Sequence, residues 1–178
     1  MTDRPESDDE RERLLLDAML GKLTTYLRMC GYDAAYALDD GPDPGDDALL
    51  ERAREENRTL VTRDERLARR APDGVLVTTR AITDQLREFS SAGYAVELRG
   101  GPVRCSTCNG QVERVGTDEP VPEYAPDPGE QPLWRCLDCG QVYWKGSHWD
   151  DVAKRIDAKE NERDGGDEQQ RDGGDETR

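Results

Sequence analysis

Lysine is nearly missing from this chain: only four of the 25 basic residues are Lys, set against 40 Asp and Glu, for a formal net charge of -15. A basic surface is the usual footprint of a protein that holds nucleic acid by charge, so its absence counts against a nonspecific phosphate binder. Acid-rich, lysine-poor composition resembles adaptation to high salt, where carboxylates keep a surface hydrated and dispersed. An ordinary acidic protein with solvated acidic ends would share that composition. In multimolar salt counterion release adds little affinity, and contact with nucleic acid would rest on metal ions, stacking and bidentate arginines.

Long hydrophobic runs are also lacking. No apolar stretch approaches the about 20 residues that cross a bilayer, so no membrane role is expected. Met1 to Glu12 hold neither the basic nor the apolar segment of an export signal, and a reducing, cytoplasmic setting is the expectation. At the other end, Arg163-Asp164-Gly165-Gly166-Asp167-Glu168 recurs as Arg171-Asp172-Gly173-Gly174-Asp175-Glu176. With no apolar side chain to offset chain entropy, that repeat reads as a solvated tail.

Cysteine is scarce but ordered. Cys105-x-x-Cys108 and Cys136-x-x-Cys139 form two knuckles, followed by Asn109-Gly110 and by Gly140, turn residues that let a backbone fold over its sulfurs. Four thiolates at this spacing predict a zinc ribbon rather than two disulfides. The four-cysteine shell is closed, so that zinc should be structural; a rubredoxin-like iron carrier is a rival use of the same ligands. The unpaired Cys30 reads as a core residue.

Between the ends the pattern alternates. Leu14 to Leu16 predicts a buried strand, after which Met19, Leu20, Leu23 and Leu27 recur at helical spacing until Gly31. Ala34 to Leu38, Thr59 to Thr62 and Val75 to Thr78 predict further strands, with helices from Asp46 or Asp47, through Leu67, and through Ile82, Leu86 and Phe89. Such alternation predicts an α/β domain built on a parallel sheet. The expected layout is an acidic disordered lead (1–12), the α/β domain (13–99), the ribbon (100–152, with one more strand a possibility before Pro102), and a helix end with a disordered acidic tail (153–178).

Open α/β sheets gather ligands beyond the carboxyl ends of their strands. Asp17 follows the first predicted strand, Asp64 follows the Thr59 to Thr62 strand, and Asp46 opens a helix. Converging carboxylates need a hard cation, which points to Mg²⁺ or Mn²⁺; equally, each Asp could be a helix cap with no chemistry. Lys22 and Arg63 lie near that edge and are candidates to meet a phosphate. Thr62 could hydrogen-bond a ligating carboxylate, or serve simply as a β-branched strand residue.

The blocks Leu16-Asp17-Ala18-Met19-Leu20-Gly21-Lys22-Leu23, Tyr26 to Asp33, Asp46 to Leu50, Leu60-Val61-Thr62-Arg63-Asp64 and Tyr143 to Trp149 resemble the Mut7-C family, PIN-like ribonuclease domains with a C-terminal zinc ribbon. The resemblance spans roughly residues 13 to 152. It implies a PIN-like fold and metal-dependent hydrolysis of RNA phosphodiesters, with Asp17, Asp46 and Asp64 as the catalytic metal ligands. A fourth acid is common in PIN nucleases. Here no carboxylate follows Val77-Thr78-Thr79-Arg80 until Asp84, inside the next helix, which leaves one or two metals open.

After the second knuckle, Lys145 and His148 are candidate RNA contacts, and Trp134, Tyr143, Trp144 and Trp149 could stack bases beside Lys145 and Arg135 or pack the ribbon. His148 is the sole histidine, and four cysteines already complete a site. The expected partners are RNA and, through it, the ribosome or other RNA-processing proteins. A non-catalytic RNA-binding adaptor is the alternative.

Overall fold

Residues 11–161 are described by a computed structural model; the expected acidic lead, apart from its last two residues, and the tail beyond Asn161 lie outside the described residues. Four strands, β1 (Leu14–Leu16), β2 (Ala34–Tyr36), β3 (Thr59–Thr62) and β4 (Gly74–Leu76), form a parallel sheet in the order β2-β1-β3-β4. The helices between and after them are α1 (Gly21–Met29), α2 (Asp46–Glu55), α3 (Glu65–Arg70) and α4 (Ile82–Ser91). A 3₁₀ turn, Ala18–Leu20, joins β1 to α1.

The run Leu14-Leu15-Leu16 is apolar throughout because both faces of the sheet are covered. Side chains alternate along a strand, so Leu14 and Leu16 enter one core with Leu23, Leu27, Leu86 and Phe89, while Leu15 enters the other with Ala35, Leu49, Leu50, Leu60 and Leu67. All three leucines are fully buried. Truncating Leu15 to Ala should cost about 2–5 kcal/mol. Cys30 is a buried core residue, as its sequence context suggests, and Gly31 ends α1 at φ +90°. Between Gly93 and Pro102 no strand forms: Tyr94 stacks on Phe89 at 4.5 Å and Val96 is buried in the same core.

The ribbon is a three-stranded antiparallel sheet, β5 (Val112–Arg114), β6 (Leu133–Cys136) and β7 (Val142–Trp144), over a small core of Val115, Leu133 and Val142 with Trp144 against it. A final helix, α5 (Ser147–Asn161), runs unbroken across the expected boundary at residue 152. Its Val152 and Ile156 enter the first core of the parallel sheet, with Trp149 packed beside them. Arg11 is likewise tied in: its guanidinium lies 5.0 Å over the Tyr32 ring and donates to the Ala95 carbonyl at 3.3 Å.

Candidate metal centre and acidic edge

The two knuckles bring their sulfurs together. Cys105 and Cys139 Sγ lie 3.6 Å apart, Cys108 and Cys136 Sγ 3.5 Å apart. Zn–S bonds of about 2.3 Å in a tetrahedron place sulfurs about 3.8 Å apart, so the four cysteines could hold a metal such as zinc. Asn109 at φ +67° and Gly140 at φ +75° supply the left-handed turns that fold each knuckle back. Burial alone would raise the Cys105 thiol, but hydrogen bonds from Tyr143 Oη, 3.0 Å away, and from backbone amides outweigh it and hold it at about 7. Cys108 is pushed up to about 12 by burial and by the neighbouring cysteine sulfurs. Four such sulfurs cannot all ionise without a cation among them.

The first knuckle also grips the parallel sheet. β2 is an edge strand, and its outward amide and carbonyl at Ala34 are taken up by side chains: the amide donates to Asn109 Oδ1 at 3.0 Å and the carbonyl accepts from Arg28 Nε at 2.9 Å. The amide of Tyr36 donates to Asp39 Oδ2 at 2.9 Å. Arg28, 3 % exposed, continues to the carbonyls of Ser106 and Thr107 and to Asp39. Asn109 Nδ2 donates to Asp33, which also accepts from Arg58 and Arg13. Burial would raise the Asp33 carboxyl, yet Arg58 foremost, then Asn109 and the nearby charge of Arg104, hold it down at about 2. The strand pattern carries no trace of Arg28's role, since an arginine in an amphipathic helix reads as solvated.

At the opposite end of the sheet, β1 and β3 are adjacent and their connections leave in opposite directions, which makes the crevice beyond their carboxyl ends the switch point of the fold. Asp17 follows β1, is 8 % exposed, and accepts from the Ala18 amide at 2.6 Å and from Thr62 Oγ1 at 2.7 Å. Thr62, the last residue of β3, is fully buried, and its hydroxyl oxygen accepts the Asp64 amide at 3.0 Å. One hydroxyl therefore ties the two acidic positions together. Asp64 is exposed and caps α3, accepting from the amides of Leu67 and Arg66, which lower its pKa. Asp46 is the first residue of α2, with Gly45 at the cap position, and is exposed at the same edge.

Asp17 and Asp64 are thus both caps, Asp17 being linked through Thr62 to the Asp64 backbone, whereas Asp46 is no cap. Among the described residues the four cysteines are the one set of three or more Cys, His, Asp or Glu whose ligand atoms all lie within 4.8 Å, so the three aspartates stand farther apart than that. Asp84 sits in the first turn of α4, paired with Arg87 at 2.7 Å. Lys22 is exposed in the first turn of α1. Arg63 Nε is buried with no hydrogen-bond partner among the described residues. Tyr36 escapes sequence reasoning at this edge: its Oη donates to the Ala18 carbonyl at 2.7 Å and fills the space over Gly21, where a Cβ would come within 2.9 Å of that oxygen. Burial, then the charges of Asp39 and Asp17, push its phenol up.

Lys145 and His148 are placed elsewhere. Both are exposed; Lys145 Nζ lies 5.8 Å over the Trp149 ring, and His148 lines a small cavity with Met29, the last residue of α1. Asp17 and Lys22 stand at the start of that helix. The aromatics divide between two roles: Trp144 and Trp149 pack cores, while Trp134 stays half-buried under the Arg114 guanidinium at 5.4 Å. Arg135 is committed to Glu119 at 2.9 Å and to the Pro120 carbonyl at 2.6 Å.

No helix among the described residues is long and apolar enough to cross a membrane. Neither the curated proteins nor the solved structures contain a match to this chain. A family model does match, over residues 12–156, which takes in the parallel sheet, both knuckles and most of α5. On that match, the chain belongs to the family described as the Mut7-C RNAse domain, and that family points to a ribonuclease-like function.

Proposed function

We propose that the chain hydrolyses RNA phosphodiester bonds at the carboxyl edge of the sheet, with Asp17, Asp64 and Asp46 holding Mg²⁺ or Mn²⁺ and a structural zinc in the cysteine shell. The observation that carries this reading is the Thr62 hydroxyl, which donates to Asp17 and accepts from the Asp64 backbone at the switch point of the fold. A bound divalent ion would supply an activated water and charge stabilisation for in-line displacement. The donor set fits it: carboxylate oxygens suit a hard cation, and each oxygen of Asp17 keeps a lone pair beyond its single hydrogen bond.

The chain's own residues have definable tasks. Thr62 fixes the rotamer of Asp17, and the α3 amides fix that of Asp64, so neither carboxylate must be ordered when an ion arrives. Arg63 and Lys22 offer positive charge to the scissile phosphate. Lys145 and His148 serve RNA on the ribbon side, and the setting is cytoplasmic and salt-rich. The non-catalytic RNA-binding adaptor draws support from the separation of the three carboxylates.

Cleavage of labelled RNA in molar salt with Mn²⁺ decides between them. The ribonuclease reading expects divalent-dependent cleavage that falls at least about a hundredfold in Asp17→Asn and in Asp64→Asn. Undiminished cleavage in both variants overturns it, and tight RNA binding without any cleavage by the wild-type chain establishes the adaptor.

A further inference from the structure

A groove of about 520 Å³ runs between the ribbon and the end of α1, lined by Gly31, Val103, Arg104, Gln111, Arg114 and Trp134 among others. No carboxylate lines it, in a chain of net charge -15. Arg114 stands directly opposite Trp134 in the β5–β6 register, its guanidinium over the ring, and has no ion-pair partner among the described residues. Arg104 donates to the Asn109 carbonyl at 3.1 Å and lies 4.0 Å from Asp33, whose carboxylate Arg58 already holds. Gly31 lines the groove, where a Cβ would come within 2.8 Å of Val103, and Gly101 lets the chain pass close to the Trp134 ring, which a Cβ there would meet at 2.6 Å.

We infer that this groove is a second contact for single-stranded RNA, in which Trp134 stacks a base and Arg104 and Arg114 hold the adjoining phosphates. The inference rests on RNA being the substrate proposed above. Stacking tolerates salt better than charge does, and the groove offers both on a surface otherwise repulsive to phosphate. It is separate from the acidic edge: Gly31 and Asp17 flank opposite ends of α1, whose nine residues span about 13 Å. RNA that reaches both must run along the molecule, so the groove grips longer strands than the acids alone can.

Fluorescence anisotropy with a labelled single-stranded RNA of about 12 nucleotides tests this, using the full zinc-loaded chain with Asp17→Asn in the background. Trp134→Ala and Arg114→Ala should each weaken binding about tenfold, and Trp134→Phe should retain most of it. Arg135→Ala removes the same charge from the neighbouring position and should change binding less than about twofold. Zinc content and circular dichroism identify a misfolded Trp134→Ala, in which case the exposed Arg114→Ala and Trp134→Phe carry the result. Binding indifferent to Arg114→Ala, an equal loss in Arg135→Ala, or no binding of single strands overturns the groove. The wild-type cleavage assay stands apart: cleavage with groove-independent binding sinks the groove alone, and groove-dependent binding without cleavage sinks the nuclease alone.

Discussion

At the amino-terminal end of the parallel sheet Asp33 is enclosed by Arg13, Arg58 and Asn109, while at the carboxyl end Asp17, itself 8 % exposed, accepts hydrogen bonds, among the described residues, from just the Thr62 hydroxyl and the Ala18 amide. One fold thus treats one residue type in two ways. A carboxylate that serves architecture is neutralised by the chain itself. A carboxylate left buried without a cation is stable only where water or an ion completes it. The contrast separates the structural acid from the candidate catalytic one without reference to any motif.

Five experiments press on that contrast. Removing the metal should have the largest effect: Cys136→Ser, or a strong chelator, should abolish the ribbon's melting transition and also lower the melting temperature of the parallel sheet, because Asn109 and the carbonyls of Ser106 and Thr107 anchor β2 and Arg28. A sheet that melts at its wild-type temperature would show that the amino-terminal end stands alone. Next, Asp33→Asn should cost about 2 kcal/mol in denaturant unfolding, because Arg58 loses one of its two carboxylate partners and keeps Glu56 alone, yet leave cleavage per folded molecule intact. Asp17→Asn should do the reverse, holding stability within about 1 kcal/mol because Asn also caps, while cleavage is lost.

Acid should reveal the same asymmetry. Asp33 is held at about 2 in the folded chain, below its ordinary 3.8, so its contribution is complete above that ordinary value and disappears as pH falls toward 2. A loss of about 1–2 kcal/mol between pH 4 and 2, absent in Asp33→Asn, is the expected unfolding result. The smallest effect belongs to Thr62→Val, which should cost about 1 kcal/mol and slow cleavage about tenfold by freeing Asp17 to rotate. Unchanged cleavage there would remove the shared hydroxyl from the mechanism.

Much of this was legible from the order of residues. The leucine run of β1, the alternation that builds a parallel sheet, the stop at Gly31 and the cysteine spacing are local patterns, and each is found where the pattern puts it. Thr62 beside a carboxylate was also foreseeable, from its place at the end of a strand. What stayed hidden depends on partners remote in sequence. Arg28 is buried by carbonyls 78 and 79 residues away, and α5 shows just two core residues, Val152 and Ile156, amid charges, because α1 and α4 supply the rest of its setting. The groove at Trp134 is equally remote, since it joins Gly31 at the end of α1 to strands of the ribbon.

The knuckle against β2 has a consequence for how the molecule fails. An open sheet edge with free amides and carbonyls is a template for another chain's strand. Here Asn109 and Arg28 occupy that template at Ala34, and both lean on the knuckle of Cys105 and Cys108, whose sulfurs could hold a metal. Metal-starved protein should therefore become adhesive before it is fully unfolded, pairing copy to copy along β2. With a metal in its knuckles, the ribbon would guard the sheet edge as much as build a scaffold.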